Sequence, residues 1–203
     1  MKILALIGGS GSGKSTVLNG LRAHFGERVA VLSLDNYYRP KAELPIDENG
    51  ETNFDLPEVI NHHDMVRDID QLLRGEPIAL KTYTYNRDVM KSETVVILPA
   101  EWLVVEGLFA MAYPEMEERV DLLGFIDAPV EVRLQRRIER DGAERGYTED
   151  EVRYQWKNHV RPADLAFIEP WKSRADVIVD NHRDWQDGLR ELIDRMERMN
   201  PTA

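Results

Sequence analysis

The chain has 203 residues, of which 42% are hydrophobic and 31% are charged, and its formal net charge is −11 at pH 7. This length and composition predict one folded domain over residues 1–203 and exclude a disordered or fibrous chain. The negative charge opposes non-specific attraction to nucleic acids and anionic membranes, so we expect neither as a partner, and any anionic ligand must bind a local basic site.

All apolar runs in the sequence are short. None approaches the roughly 18–20 residues that span a bilayer, and the run at residues 3–7 is too short for a signal peptide. The chain has no cysteine, which excludes disulfides, cysteine nucleophiles and thiolate metal sites. Both observations favour a cytoplasmic protein.

Five short runs rich in β-branched residues alternate with longer stretches of helical period. They lie at residues 3–7, 29–34, 102–106, 122–127 and 176–180. The first helical stretch carries one apolar stripe, formed by Val17, Leu18, Leu21 and Phe25. The alternation predicts an α/β fold in which parallel strands form a central sheet and right-handed helical crossovers cover it.

The segment "GGSGSGKST" lies between the first predicted strand and the first predicted helix. Residues 8–15 match the pattern G-x-x-x-x-G-K-S, whose backbone N–H groups turn towards phosphate oxygens. We assign Lys14 to the outer phosphates and the Ser15 hydroxyl to a Mg²⁺ ion. The other residues of this phosphate loop are Gly8, Gly9, Ser10, Gly11, Ser12, Gly13 and Thr16. The motif predicts a magnesium nucleoside triphosphate as ligand but does not separate kinases from GTPases, motors or transport ATPases.

Two carboxylates lie at the carboxyl ends of predicted strands, where open parallel sheets bind ligands. Asp35 directly follows the second strand, where it is placed to accept the proton of an attacking hydroxyl and to face the magnesium. The alternative is a turn or helix N-cap aspartate. Glu106 ends the third strand, and we assign it to the metal shell. A structural role would need a buried partner that the sequence does not reveal.

Three connections carry further predictions. Residues 35–57 are rich in Pro, Gly, Asn and acidic residues and are longer than most connections, which is typical of functional loops. Residues 81–105 predict a loop, a strand and a short turn, which indicates a small antiparallel addition to the sheet. Thr148 and Glu151 fit a capping box, so we expect a helix to begin there after an exposed junction at residues 141–147.

With these motifs in place, the chain resembles the uridine kinase family of P-loop nucleoside kinases, which is related to phosphoribulokinase. The resemblance covers nearly the whole chain and rests on "GGSGSGKST", "LDNYYRP", "NFDLPE", "LVVEGLFA", "RRIERDGAERG" and "HVRPADLAFIEPWKSRADVIVDN". It implies a P-loop NTPase three-layer fold with a central parallel sheet, a small antiparallel addition and a helical lid over about residues 136–155. It also implies a homo-oligomer that transfers the γ-phosphate of ATP to the 5′-hydroxyl of uridine or cytidine in pyrimidine salvage.

The same resemblance implies roles for individual positions. The implied catalytic residues are Asp35 as general base, Lys14 and Arg140, and the implied metal ligands are Ser15, Asp35 and Glu106. Arg140 and Arg145 belong to the lid over the ATP phosphates, and Asp184 lies near the adenine. The implied nucleoside-binding residues are Tyr38, Asp55, Tyr83, Tyr85, Arg137 and Gln155. Phosphoryl transfer needs charge neutralisation of this kind, although a solvated helix face also accounts for the arginine spacing.

Two features depart from the family pattern. The family segment Tyr-x-aromatic-x-x-His-x-Arg contacts the pyrimidine, whereas "YTYNRDVM" has Asp88 and Met90 at the His and Arg places. Tyr147 stands where the family usually has another arginine. A kinase of the same fold for another hydroxyl, such as nicotinamide riboside, pantothenate or a sugar phosphate, therefore stays open. A regulatory NTPase also stays open, although the guanine-reading N-K-x-D motif is absent.

Overall fold

A central parallel sheet organises the computed structural model, which describes residues 1–83 and 93–200. The strands are β1 (Lys2–Ile7), β2 (Val29–Ser33), β3 (Ile78–Lys81), β4 (Thr94–Ile97), β5 (Trp102–Glu106), β6 (Leu122–Asp127) and β7 (Val177–Asp180). Five of them form a parallel sheet in the order β2-β5-β1-β6-β7, and β3 pairs with β4 in a two-stranded antiparallel sheet. All five predicted parallel strands are therefore confirmed.

Helices connect the strands and cover the sheet. The α-helices are α1 (Lys14–Phe25), α2 (His62–Leu73), α3 (Pro114–Glu117), α4 (Val130–Arg145), α5 (Glu149–Gln155), α6 (Arg161–Ala163) and α7 (Trp185–Met199). Turns of π-helix at Trp156–Val160 and Asp164–Ile168 flank α6. Short 3-10 helices lie at Gly26–Arg28, Leu34–Tyr37, Lys41–Glu43, Pro57–Val59 and Glu169–Arg174. Within the described parts of the chain, no helix has both the length and the apolar character needed to cross a membrane.

The alternating side chains of β1 enter two separate cores. Ile3 and Ile7 pack in one core together with buried residues of α2. Leu4 and Leu6 pack in the other, where the four stripe residues of α1 and two buried residues of α7 cover them. Because both faces of the sheet are covered by helices, the fold has three layers and the apolar stripe predicted for α1 is confirmed.

Two connections differ from the expectation. The antiparallel element is present, but β4 pairs with β3 in a sheet of its own and does not extend the parallel sheet. The expected exposed junction at residues 141–147 is wrong for its first part, because α4 continues to Arg145 and Asp141 is fully buried. Gly146, with φ of 73°, ends that helix. The capping box of Thr148 and Glu151 is confirmed, with both of its hydrogen bonds formed.

A close approach between α7 and β7 generates a stability prediction. A Cβ atom at Gly188 would lie 2.8 Å from the Cα of Val179, so Gly188→Ala should lower the free energy of unfolding by about 1–3 kcal/mol through overpacking. In Gly142→Ala the added Cβ would lie 3.7 Å from the Tyr147 carbonyl oxygen, so this helical control should be stabilised by about 0.5–1 kcal/mol. Urea unfolding of both variants measures the difference. Equal stabilisation of both would contradict the close approach.

Candidate active site

A cavity of 390 Å³ lies where β1, β2 and β5 end. Its basic lining residues are Lys14, Arg136, Arg137, Arg140 and Arg145, and its acidic ones are Asp35, Asp55 and Glu106. Cationic groups therefore outnumber carboxylates in this cavity, although the whole chain has a net charge of −11. The cavity provides the local basic site that an anionic ligand requires.

The phosphate loop wraps the end of the cavity next to β1. Gly13, with φ of 92°, precedes α1 and caps it without a side chain, so the helix directs its first N–H groups into the loop. A Cβ at Gly13 would lie 1.8 Å from the Asn181 amide nitrogen, so only glycine fits there. The Lys14 ammonium donates to the Gly8 carbonyl oxygen at 2.9 Å. Burial lowers the pKa of Lys14, and the charges of Glu106 and Asp35 oppose that shift.

Two carboxylates meet at the ends of neighbouring strands. Ser33 and Glu106 are opposite each other in the pairing of β2 with β5, and the Ser33 hydroxyl donates to Glu106 Oε1 at 2.5 Å. The Ser33 oxygen also accepts from the backbone N–H of Asp35 at 3.3 Å, which fixes the turn that carries Asp35. Burial raises the pKa of Glu106, and the Asp35 charge raises it further while Lys14 opposes the shift. Ser33 is thus a partner of Glu106 that the sequence did not reveal.

Three oxygen-bearing side chains of the cavity form a donor set that fits a small, hard cation. Ser15, Asp35 and Glu106 all line the cavity and offer a hydroxyl and two carboxylates. In the described portion of the chain, no group of three or more His, Cys, Asp and Glu side chains forms a metal cluster. A protein site with few carboxylates suits Mg²⁺, which usually completes its octahedral shell with water and substrate phosphates.

One end of the cavity, called the acceptor end, is aromatic. Tyr38 and Tyr83 stack with ring centroids 5.3 Å apart and an interplanar angle of 30°, and Phe54 lines the same end. The Tyr38 hydroxyl donates to the Phe54 carbonyl oxygen at 3.2 Å. Burial and the Asp35 charge raise the pKa of Tyr83, so its hydroxyl stays protonated at neutral pH. This end presents flat apolar surfaces beside a carboxylate, Asp55.

Arg137 joins the segments that surround the cavity. Its Nη1 donates to Ser10 Oγ of the phosphate loop at 3.1 Å and lies 3.6 Å from Asp55 Oδ1. Its Nη2 donates to Gln155 Oε1 at 3.1 Å, and its Nε lies 3.2 Å from Asp141 Oδ2. Gln155 is therefore buried behind Arg137 and is not among the residues that line the cavity.

The structure gathers most of the predicted site residues but not all of them. Within the phosphate loop, the cavity is lined by Ser10, Gly11, Gly13, Lys14 and Ser15, whereas Gly8, Gly9 and Ser12 are buried and Thr16 is exposed. Asp184 is exposed and caps α7 by accepting from the Gln186 N–H at 3.0 Å, outside the cavity lining. Tyr85, Asp88 and Met90 lie outside the described residues.

Asn181 and Asp141 were given no role by the sequence predictions, and Asn181 contacts Arg136, the first residue of the predicted lid. Arg136 donates to the Asn181 carbonyl oxygen at 2.9 Å, and the Asn181 amide donates to the Ser12 carbonyl oxygen at 2.7 Å. Asn181 directly follows β7, so its position at a strand end was a usable signal. Asp141 lies four residues after Arg137 and four before Arg145, which is the spacing of helical ion pairs.

Comparison with known proteins places the chain among kinases. Residues 3–186 match the model of the Phosphoribulokinase / Uridine kinase family. A uridine kinase of Staphylococcus epidermidis is 36% identical over 178 residues, which are 87% of this chain and 86% of that protein. A uridine kinase of Deinococcus deserti is 38% identical over 178 residues, again 87% of this chain and 86% of that protein.

The fold is also similar to that of a solved structure. Phosphoribulokinase from Rhodobacter spheroides is similar with a TM-score of 0.65 and 20% identity, over 93% of this chain and 73% of that one. This likeness supports the fold, and the family match over residues 3–186 covers nearly the whole sequence. The chain therefore belongs to the phosphoribulokinase/uridine kinase family.

Proposed function

We propose that the protein transfers the γ-phosphoryl group of ATP to the 5′-hydroxyl of uridine or cytidine, giving ADP and the nucleoside monophosphate. The observation that carries this proposal is a single cavity lined both by the phosphate loop and by aromatic side chains with the Asp55 carboxylate. Asp35 acts electrostatically on both Lys14 and Tyr83, one residue from each end. The uridine kinases that are 36% and 38% identical support the same acceptor.

The donor end is built to bind a triphosphate. Backbone N–H groups of the phosphate loop and the start of α1 donate to phosphate oxygens, and Lys14 balances the charge of the outer phosphates. Arg140 and Arg145 line the same cavity and neutralise charge that spreads over the transferred group in a loose transition state. Arg136 lies at this end as well, where it donates to the Asn181 carbonyl oxygen.

Ser15, Asp35 and Glu106 are the residues that would hold Mg²⁺. The ion supplies charge neutralisation between the phosphate groups when it is bound. Ser33 orients the Glu106 carboxylate through its hydroxyl, which leaves the other carboxylate oxygen for a ligand. Such an arrangement is typical of phosphoryl-transfer sites, where the metal keeps water and substrate oxygens as further ligands.

The acceptor end orients a nucleoside for in-line attack. Asp55 accepts hydrogen bonds from ribose hydroxyls, and Tyr38 and Tyr83 provide flat surfaces beside it. Asp35 accepts the proton of the 5′-hydroxyl as that oxygen attacks the γ-phosphorus. Closing of the lid segment, residues 136–155, excludes water and so limits hydrolysis of ATP.

Replacing the proposed general base tests this function directly. Asp35→Asn keeps the side-chain shape but cannot accept the proton, so kcat for uridine should fall at least about 100-fold. The dissociation constant of ATP measured without magnesium should change little, because the phosphate loop and the arginines are untouched. Asp194→Asn, exposed on α7, is the matched control and should behave as wild type. Steady-state kinetics with calorimetric ATP titration measure both quantities, and retained turnover in Asp35→Asn would exclude Asp35 as the base.

Removing the Glu106 charge tests the proposed metal set. Glu106→Gln should raise the Mg²⁺ concentration for half-maximal rate about 10-fold or more, the usual size of a lost metal-site contact. Because burial raises the Glu106 pKa, protons compete with the metal, so the wild-type Mg²⁺ requirement should increase as pH falls. That pH dependence should be weaker in Glu106→Gln.

The control for this experiment is Glu131→Gln, which changes an exposed glutamate in the first turn of α4. Rates measured against Mg²⁺ concentration at several pH values compare the three proteins. An unchanged Mg²⁺ requirement in Glu106→Gln would remove Glu106 from the metal set.

A further inference from the structure

Asp141 is a buried carboxylate shared by three arginines. Its side chain is 0% exposed. Arg140 Nε donates to Asp141 Oδ1 at 2.8 Å, Arg145 Nη1 lies 3.2 Å from the same oxygen, and Arg137 Nε lies 3.2 Å from Oδ2. Arg137, Arg140 and Arg145, here called the arginine cluster, all line the cavity, whereas Asp141 does not.

We propose that Asp141 is a positioning residue that holds the arginine cluster together and orients its guanidinium groups towards the ligands of the cavity. The inference rests on the proposed function, in which Arg140 and Arg145 meet the phosphates and Arg137 lies at the sugar. Asp141 contacts neither donor nor acceptor and acts through these three side chains.

Electrostatics make a carboxylate necessary at this place. Three guanidinium groups lie around one carboxylate of α4, with side-chain exposures of 5% for Arg137, 22% for Arg145 and 37% for Arg140, and like charges held this close repel each other. A fully buried carboxylate without partners would itself cost several kcal/mol. The Asp141 carboxylate and the arginine cluster therefore compensate each other's charge. Together they keep an excess of two positive charges beside the phosphate loop.

The atoms that Asp141 contacts also determine the orientation of the cluster. Arg140 donates to Asp141 Oδ1 through its Nε, and Arg137 faces Asp141 as an ion pair with its Nε 3.2 Å from Oδ2, so neither contact uses the outer edge that the two terminal amino groups of each guanidinium form. The outer groups of Arg137 reach Ser10, Asp55 and Gln155 instead. The planar guanidinium of Arg140, held at Nε, presents its outer edge in a fixed direction, and two parallel N–H groups suit a phosphate.

The position of Asp141 in α4 makes this arrangement rigid. Arg137 and Arg145 lie one helical turn before and after it, and Arg140 is its neighbour in the chain. The α4 helix continues to Arg145 and ends at Gly146, so all four residues belong to one regular element. Catalytic groups held by buried partners on a helix are more precisely placed than groups on a loop.

The test is the variant Asp141→Asn, which keeps the volume but removes the charge. ATP with magnesium should bind about 10- to 100-fold more weakly by calorimetry, and kcat should fall by a similar factor, as for other residues that orient ligand-binding side chains. Asp70→Asn removes an arginine-paired carboxylate on α2, away from the cavity, and should leave both quantities unchanged. A purely structural Asp141 would instead lower the melting temperature and leave ATP affinity within about twofold of wild type.

A double-variant cycle with Arg140→Gln checks that Asp141 acts through the arginine. The fold-loss of kcat in the double variant Asp141→Asn/Arg140→Gln should be smaller than the product of the two single-variant losses. A double-variant loss of kcat equal to the product of the two single losses would overturn the proposal for Arg140.

A measurement on the unmodified protein covers the case in which Asp141→Asn does not fold. The Arg140 Nε–H signal in nitrogen-edited NMR, assigned by its loss in Arg140→Lys, should exchange slowly with water. Exchange as fast as that of an exposed arginine would overturn the inference. If the wild type binds ATP but phosphorylates neither uridine nor cytidine, the proposed function fails, whereas ATP affinity still decides the role of Asp141.

Discussion

The site depends on the contacts that the buried guanidinium group of Arg137 makes. This group contacts Ser10 of the phosphate loop, Asp55 of the long connection after β2 and Gln155 of α5, while Asp141 lies at its Nε. Removing one partner of a buried charge leaves the rest uncompensated and is strongly destabilising. Three segments that are distant in sequence are thereby held around one cavity, and the donor and acceptor ends keep a fixed separation.

The parallel sheet supplies the second constraint. Because β1, β2 and β5 are neighbours, the phosphate loop, Asp35 and Glu106 emerge at the same edge. The basic groups of the cavity come from the phosphate loop and from α4, so an excess of positive charge lies there while the chain as a whole is acidic. Salt screens charges beyond about 8 Å at physiological ionic strength, so the local field governs the capture of a triphosphate.

Sequence reasoning identified what depends on strand ends and local pattern. The five parallel strands, the stripe of α1, the capping box at Thr148 and the positions of Asp35 and Glu106 all follow from periodicity and motif spacing. It did not identify Ser33 as the partner of Glu106, since that pairing depends on the register of β2 against β5. Asp141 was expected in an exposed junction because the capping box at Thr148 indicated only where the next helix begins, whereas its burial depends on the arginines that pack around it.

In the proposed function, the cavity passes a phosphoryl group directly from ATP to a nucleoside hydroxyl. Its most direct test is the product balance when the purified protein is incubated with ATP, Mg²⁺ and uridine or cytidine, with the other hydroxyl acceptors as parallel samples. We predict one nucleoside 5′-monophosphate for each ADP and no phosphorylated product from nicotinamide riboside, pantothenate or a sugar phosphate. Formation of ADP and inorganic phosphate without any nucleoside monophosphate would contradict it.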